Sequence, residues 1–129
     1  MQMKRTDFDP ESVQSDGRPP LLAKLFEGPG PWRGSLDGAA LGGPVTVLVY
    51  GNDSPGEGPS LHVHPYDETF VVIEGRARFF IGDQAIDADA GDVLLAPKGI
   101  PHKFENLGPG RLQTVDIHHS PRWIQTDLE

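Results

Sequence analysis

The 129 residues include no cysteine, and 11 basic side chains stand against 19 acidic ones, a formal net charge of −8. This excludes disulfides, thiolate nucleophiles and zinc–thiolate sites, and without a Lys/Arg cluster it argues against nucleic acid or an anionic membrane as partner. The length suits one domain; no apolar run nears the roughly 20 residues of a bilayer span, and the N-terminus lacks the apolar stretch of a signal peptide, so the cytoplasm is the expected location.

Along the chain, residues 1–20 are polar and broken by Asp9-Pro10 and Arg18-Pro19-Pro20, which predicts an irregular arm ahead of a single unit over 21–129. Leu21 to Phe26 and Trp32 to Leu36 are predicted short strands around a Gly/Pro turn. Val45 to Tyr50 is β-branched and apolar on both faces, as in a central strand. Strand-like runs and breakers then alternate: Leu61 to His64, Glu68 to Glu74, Arg76 to Ile81, Gln84 to Ala88, Asp92 to Ala96, Ile100 to Glu105 and Arg111 to His118, with a short tail beyond. Turn signals recur about every 8–12 residues, and no window keeps a helical period for three turns. The 16 Gly and 13 Pro residues then belong to tight turns. The expectation is an all-β sandwich or barrel.

Alternation assigns faces. Ala77, Phe79 and Ile81 share one side and Arg76 and Arg78 the other. His62 and His64 share a face, with Cα atoms about 6.5–7 Å apart, and Leu61 and Val63 take the opposite one. An ion fits between two such imidazoles at about 2.0–2.2 Å from each nitrogen, with Glu68 returning from the next strand. Two ordinary histidines beside a solvated glutamate are the competing reading of this short pattern.

A second block removes most of that ambiguity. Gly56-(x5)-His62-x-His64-(x3)-Glu68-(x6)-Gly75 resembles the first cupin motif at every fixed position. Gly91-(x5)-Pro97-x-Gly99-(x2)-His102-(x3)-Asn106 resembles the second, 15 residues on, a spacing similar to that of compact microbial cupins. The resemblance implies a small jelly-roll barrel, the cupin double-stranded β-helix. It also implies that His62, His64, Glu68 and His102 bind one divalent transition metal. Three imidazoles and a carboxylate suit Fe, Mn, Ni, Co, Cu or Zn rather than a calcium cage.

Other residues are open to two readings. Phe70, Val72 and Phe104 share faces with ligands and either wall the cavity or fill the core. Tyr66 either sits exposed in its loop or donates a hydrogen bond at the metal. Asp116 and His118 share one face of the last core strand. Facing inward they would act as acid/base or ligand-orienting groups, but turning Val115 and Ile117 inward buries more apolar area and is the expected register. His119 is expected at the surface, Trp32 and Trp123 in an arm or interface. The resemblance to quercetinase-like small cupins implies an oxygenase-type enzyme acting on a small molecule. The alternatives are a non-redox isomerase, epimerase or lyase acting on a sugar or keto acid, and a non-catalytic ligand-binding protein. Strands apolar on both faces, together with the family resemblance, imply a homodimer.

Overall fold

A computed structural model describes residues 4–26 and 33–129 of the chain. Among the described residues ten strands follow one another: β1 (Gly34–Leu36), β2 (Thr46–Asn52), β3 (His62–Val63), β4 (Glu68–Glu74), β5 (Arg76–Ile81), β6 (Gln84–Asp89), β7 (Val93–Ala96), β8 (His102–Asn106), β9 (Leu112–His118) and β10 (Thr126–Asp127). They form two five-stranded antiparallel sheets, ordered β1-β2-β9-β4-β7 and β10-β3-β8-β5-β6. Two 3-10 turns, Pro10–Ser12 and Gly38–Leu41, complete the regular structure among the described residues.

The alternation written in the sequence becomes the division between inside and outside. In β5, Ala77 and Phe79 are buried while Arg76 and Arg78 point out, paired with Asp89 and Asp87 of β6. In β4, Glu68, Phe70 and Val72 are buried and Ile73 is exposed. Phe70, Val72, Ala77, Phe79, Ala88, Ala96, Phe104 and Leu112 form one cluster that joins both sheets. Phe79 and Phe104 pack with ring centroids 5.0 Å apart, and Phe70 lies 4.9 Å from Phe79. Full burial of such side chains contributes about 1.5–3 kcal/mol each. Phe70 and Val72 therefore fill the core, and Phe104 belongs to both core and cavity wall.

Gly75 sits between β4 and β5 at φ +84°, and a Cβ there would meet the Arg111 carbonyl oxygen at 2.2 Å. Only glycine fits both the turn and the close approach.

Three expectations change. Leu21 to Phe26 forms no strand, because its first four residues are all exposed and it buries no alternating face against a sheet. The strand expected over Trp32 to Leu36 is Gly34–Leu36, pairing with β2, and Trp32 lies outside the described residues. The tail contains β10, which pairs with β3 through Thr126 opposite Val63 and Asp127 opposite His62.

Candidate metal centre

Two loops and four strand ends build the site. His62 lies on β3 and is the cross-strand partner of His102, the first residue of β8. His64 follows β3, and Glu68 opens β4 opposite His118, the last residue of β9. The two motif loops are tied together: Gly99 N–H donates to the His64 carbonyl at 2.9 Å, and Lys98 N–H to Asp67 Oδ1 at 2.8 Å. Gly99 reaches this turn at φ +76°, as its Pro-x-Gly setting predicts. His62, His64, Glu68 and His102 are all buried, and each offers one ligand atom within 4.8 Å of the others.

Hydrogen bonds identify which nitrogen each histidine presents. His62 Nδ1 lies 2.6 Å from the Ser60 carbonyl, His64 Nδ1 2.8 Å from that of Ile124, and His102 Nδ1 3.0 Å from that of Ile100. A carbonyl only accepts, so all three Nδ1 atoms carry the proton and each neutral ring keeps its lone pair on Nε2. Such outer partners fix and orient metal-ligating imidazoles.

His64 Nε2 and His102 Nε2 each lie 3.0 Å from Glu68 Oε1. Two lone pairs thus face an oxygen that also only accepts, and His64 Nε2 is buried with no hydrogen-bond partner. One added proton would satisfy one of these contacts. A divalent cation satisfies all four donors at once, so the donor set fits a metal of the Mn, Fe, Ni or Zn kind.

Burial pushes the Glu68 carboxyl up, but ring protons of His102, His118 and His64, wherever one is held against its oxygens, outweigh burial and keep the group well below its ordinary range. Glu68 is therefore a carboxylate at neutral pH. Burial lowers the His62 pKa, and the neighbouring His102 and His64 rings push it down further, against the Ser60 hydrogen bond. It is kept neutral, as a ligand must be.

His118 has the opposite tautomer. Ile124 N–H donates to the Tyr66 hydroxyl at 3.0 Å, and that hydroxyl lies 2.7 Å from His118 Nδ1. His118 Nε2 lies 3.1 Å from Glu68 Oε2, which only accepts, so Nε2 carries the ring proton and Nδ1 accepts a hydrogen bond from the Tyr66 hydroxyl. The fourth histidine thus holds the carboxylate's second oxygen and leaves Oε1 to the cluster.

The structure corrects two expectations here. Tyr66 is not an exposed loop residue: it is buried, stacked on His64 with ring centroids 5.1 Å apart and planes 8° from parallel. β9 takes the register opposite to the one expected, with Thr114, Asp116 and His118 inside and Val115 and Ile117 half-buried outside. Pairing decides this, because Glu68 lies opposite His118 and Phe70 opposite Asp116. Val115 and Ile117 are sheltered beside Val71, Thr69, Val49 and Val47 of the flanking strands. His119 is exposed as expected.

Beside the cluster opens a cavity of about 550 Å³. Its wall includes His62, Glu68 and His118 with Leu48, Tyr50 and Phe104. Trp123, expected in an arm or interface, also lines it, edge-on to His118 at 5.8 Å. The Ser60 and Ile100 carbonyls, each two residues before a histidine, were open to inference from local spacing. Nothing in the sequence marked Ile124, Leu48, Tyr50 or Trp123.

Comparison with known proteins agrees with this fold. The polyketide synthase CurC of Streptomyces cyaneus is 38% identical over 68 residues, which are 52% of this chain and 44% of that protein. Acireductone dioxygenase of Geobacillus kaustophilus is 30% identical over 76 residues, 54% of this chain and 42% of the relative. The chain spans about half the length of the relatives it matches. In fold it is similar to a Klebsiella pneumoniae protein with a double-stranded β-helix domain, at a TM-score of 0.64 and 24% identity over 98% of this chain and 99% of the other. It is also similar to Bacillus subtilis oxalate decarboxylase, described for its Mn(II) centres, at a TM-score of 0.70 and 23% identity over 82% of this chain and 30% of the other. A Cupin domain model matches residues 50–118, more than half of the chain and including both histidine-bearing motifs, so this protein belongs to the cupin family.

Proposed function

We infer that the chain is a metal-dependent enzyme of the oxygenase type, with His62, His64, Glu68 and His102 holding one divalent transition metal. The observation that carries this reading is the pair of His64 and His102 Nε2 lone pairs turned toward Glu68 Oε1 by carbonyl-bound Nδ1–H groups, with His62 held in the same tautomer beside them. A metal with only four protein ligands supplies Lewis-acid or redox chemistry to a substrate beside it. The chain's own part is to bind and orient. The cavity takes a small organic molecule, the Tyr50 and Phe104 rings meet edge to face at 5.2 Å along its wall, and His118 keeps Glu68 in place. Aromatic walls suit an aromatic or diketone-like substrate. The relationship to a protein named a dioxygenase supports the oxygenase reading.

Two measurements test it. Elemental analysis of natively expressed protein should find about one transition metal per chain, and the Glu68→Ala and His102→Ala variants should lose it; retention of metal in both would show the ligand assignment to be wrong. Anaerobic loading with Fe(II), Mn, Ni or Cu followed by oxygen and aromatic diols or diketones should consume oxygen. No consumption with any of these metals would remove the oxygenase reading.

A non-redox isomerase, epimerase or lyase is the second reading. The buried Tyr66–His118 pair supports it, since it is placed to move a proton beside the cluster. Turnover with zinc and without oxygen dependence would select it.

The outer face of the β9-bearing sheet supports a homodimer. Ile73, Val93 and Leu95 are 53%, 62% and 46% exposed there, next to half-buried Val71, Val115 and Ile117. A monomeric mass by light scattering at micromolar concentration would refute it. We further take residues 21–129 as one folding unit working in the cytoplasm; among the described residues no helix is long and apolar enough to cross a membrane.

A further inference from the structure

The inner face of β9 carries one acidic group that the four-residue cluster does not use. Asp116 is 4% exposed, and its cross-strand neighbours are the apolar Leu48 and Phe70. Its Oδ1 has no hydrogen-bond partner. The Thr114 hydroxyl is near enough to favour the carboxylate, yet its own oxygen is also unpartnered. Burial above all, and then the charge of Glu68, push the Asp116 carboxyl well above its ordinary range. A buried polar group without a partner destabilises a fold, and beside Leu48 and Phe70 a leucine would pack in its place.

Location gives the group a purpose. Asp116 lines the same cavity as His62, Glu68 and His118. It lies two residues before His118, hence about 6.6 Å along the strand from the row holding His118 and Glu68. One aromatic ring spans such a gap. The adjacent walls are Tyr50, Phe104 and Trp123.

We propose that Asp116 is a specificity-determining residue whose carboxyl receives a hydroxyl of a planar aromatic or enolic substrate, while the substrate's other oxygens face the His/Glu cluster. This rests on the reading of the cluster and cavity given above. A site with an open buried polar group accepts a ligand that completes its hydrogen bonds and rejects the analogue lacking the matching hydroxyl.

Equilibrium dialysis of 2-naphthol and of its methyl ether, 2-methoxynaphthalene, tests this in zinc-loaded and metal-stripped protein. The unaltered chain should prefer the naphthol by about tenfold or more in both forms. Asp116→Leu should bring the ratio to about one while still taking up one zinc per chain. If that variant does not fold, Asp116→Ala serves the same comparison. An unchanged ratio in the variant, or no preference in the unaltered chain, overturns the proposal. So does loss of zinc from the folded variant, which would make Asp116 part of the metal site. Failure of the metal reading looks different: no zinc uptake by the unaltered chain, with the naphthol preference intact.

Discussion

The two ends of the barrel interior are built from the same strands and do opposite things. At one end Phe70, Val72, Phe79, Phe104 and Leu112 form one apolar cluster, with buried Thr114 opposite Val72. At the other, the next inward positions of β2, β4, β8 and β9 present Thr46, Glu68, His102, Asp116 and His118. The apolar end makes the fold stable. The polar end gathers acceptors that face each other and an Asp116 oxygen without a partner, arrangements that weaken a fold unless a ligand completes them. The difference marks the polar end as the place where a ligand would stabilise the fold.

The contrast can be broken from either side. Phe79→Ala should have the largest effect, destabilising the fold by about 3–5 kcal/mol in urea titrations, with metal uptake unchanged in the molecules that remain folded. Glu68→Gln should reverse that pattern: metal affinity should fall by more than the roughly 10–100-fold typical of outer partners in competition with a chromogenic chelator, while the chain still folds without metal. Tyr66→Phe removes the hydroxyl that donates to His118 Nδ1, and should weaken metal binding about tenfold in the same assay.

Asp116→Asn should stabilise the metal-free protein at neutral pH by about 1 kcal/mol. Because the folded pKa of Asp116 lies above its ordinary 3.8, the native carboxyl is least harmful below that value and costs more as pH rises. The gain in melting temperature over the unaltered chain should therefore shrink on acidification; a constant gain would mean that the charge is not the cause. The smallest effect concerns pH alone. His62 titrates below its ordinary 6.5 in the fold, so the unfolded chain takes up protons first and metal-free stability should decline as pH falls below about 6.5. Glu68, whose folded pKa is also depressed, adds a further loss below about 4.5. Stability flat from pH 7 to 5 would contradict the neutral His62.

Much of the site was legible before any coordinates, because metal ligands come as residue types at set spacings. His62 and His64 share a face by strand alternation, and Gly99 beside Pro97 marks the turn that delivers His102. The fold class was legible for a similar reason, since turn signals and period-two runs are local. The β9 register was not. Counting apolar area favoured Val115 and Ile117 inside, and the count could not include the neighbours that shelter them outside or the Glu68 carboxylate that receives His118. Tyr66 was hidden too, because its partners Ile124 and His118 lie 58 and 52 positions away.

The sequence by itself determined that the chain forms β-strands broken by tight turns, and which four side chains converge. Both follow from local rules: alternation, glycine and proline geometry, and ligand chemistry. Only the tertiary structure decided which face of β9 looks inward, since a period of two says which residues lie together and not on which side the core will be. It also decided that the tail returns, bringing the Ile124 carbonyl to His64, its N–H to Tyr66 and Trp123 to the cavity wall. Contacts across some 60 positions depend on how two sheets close on each other, which no local pattern encodes.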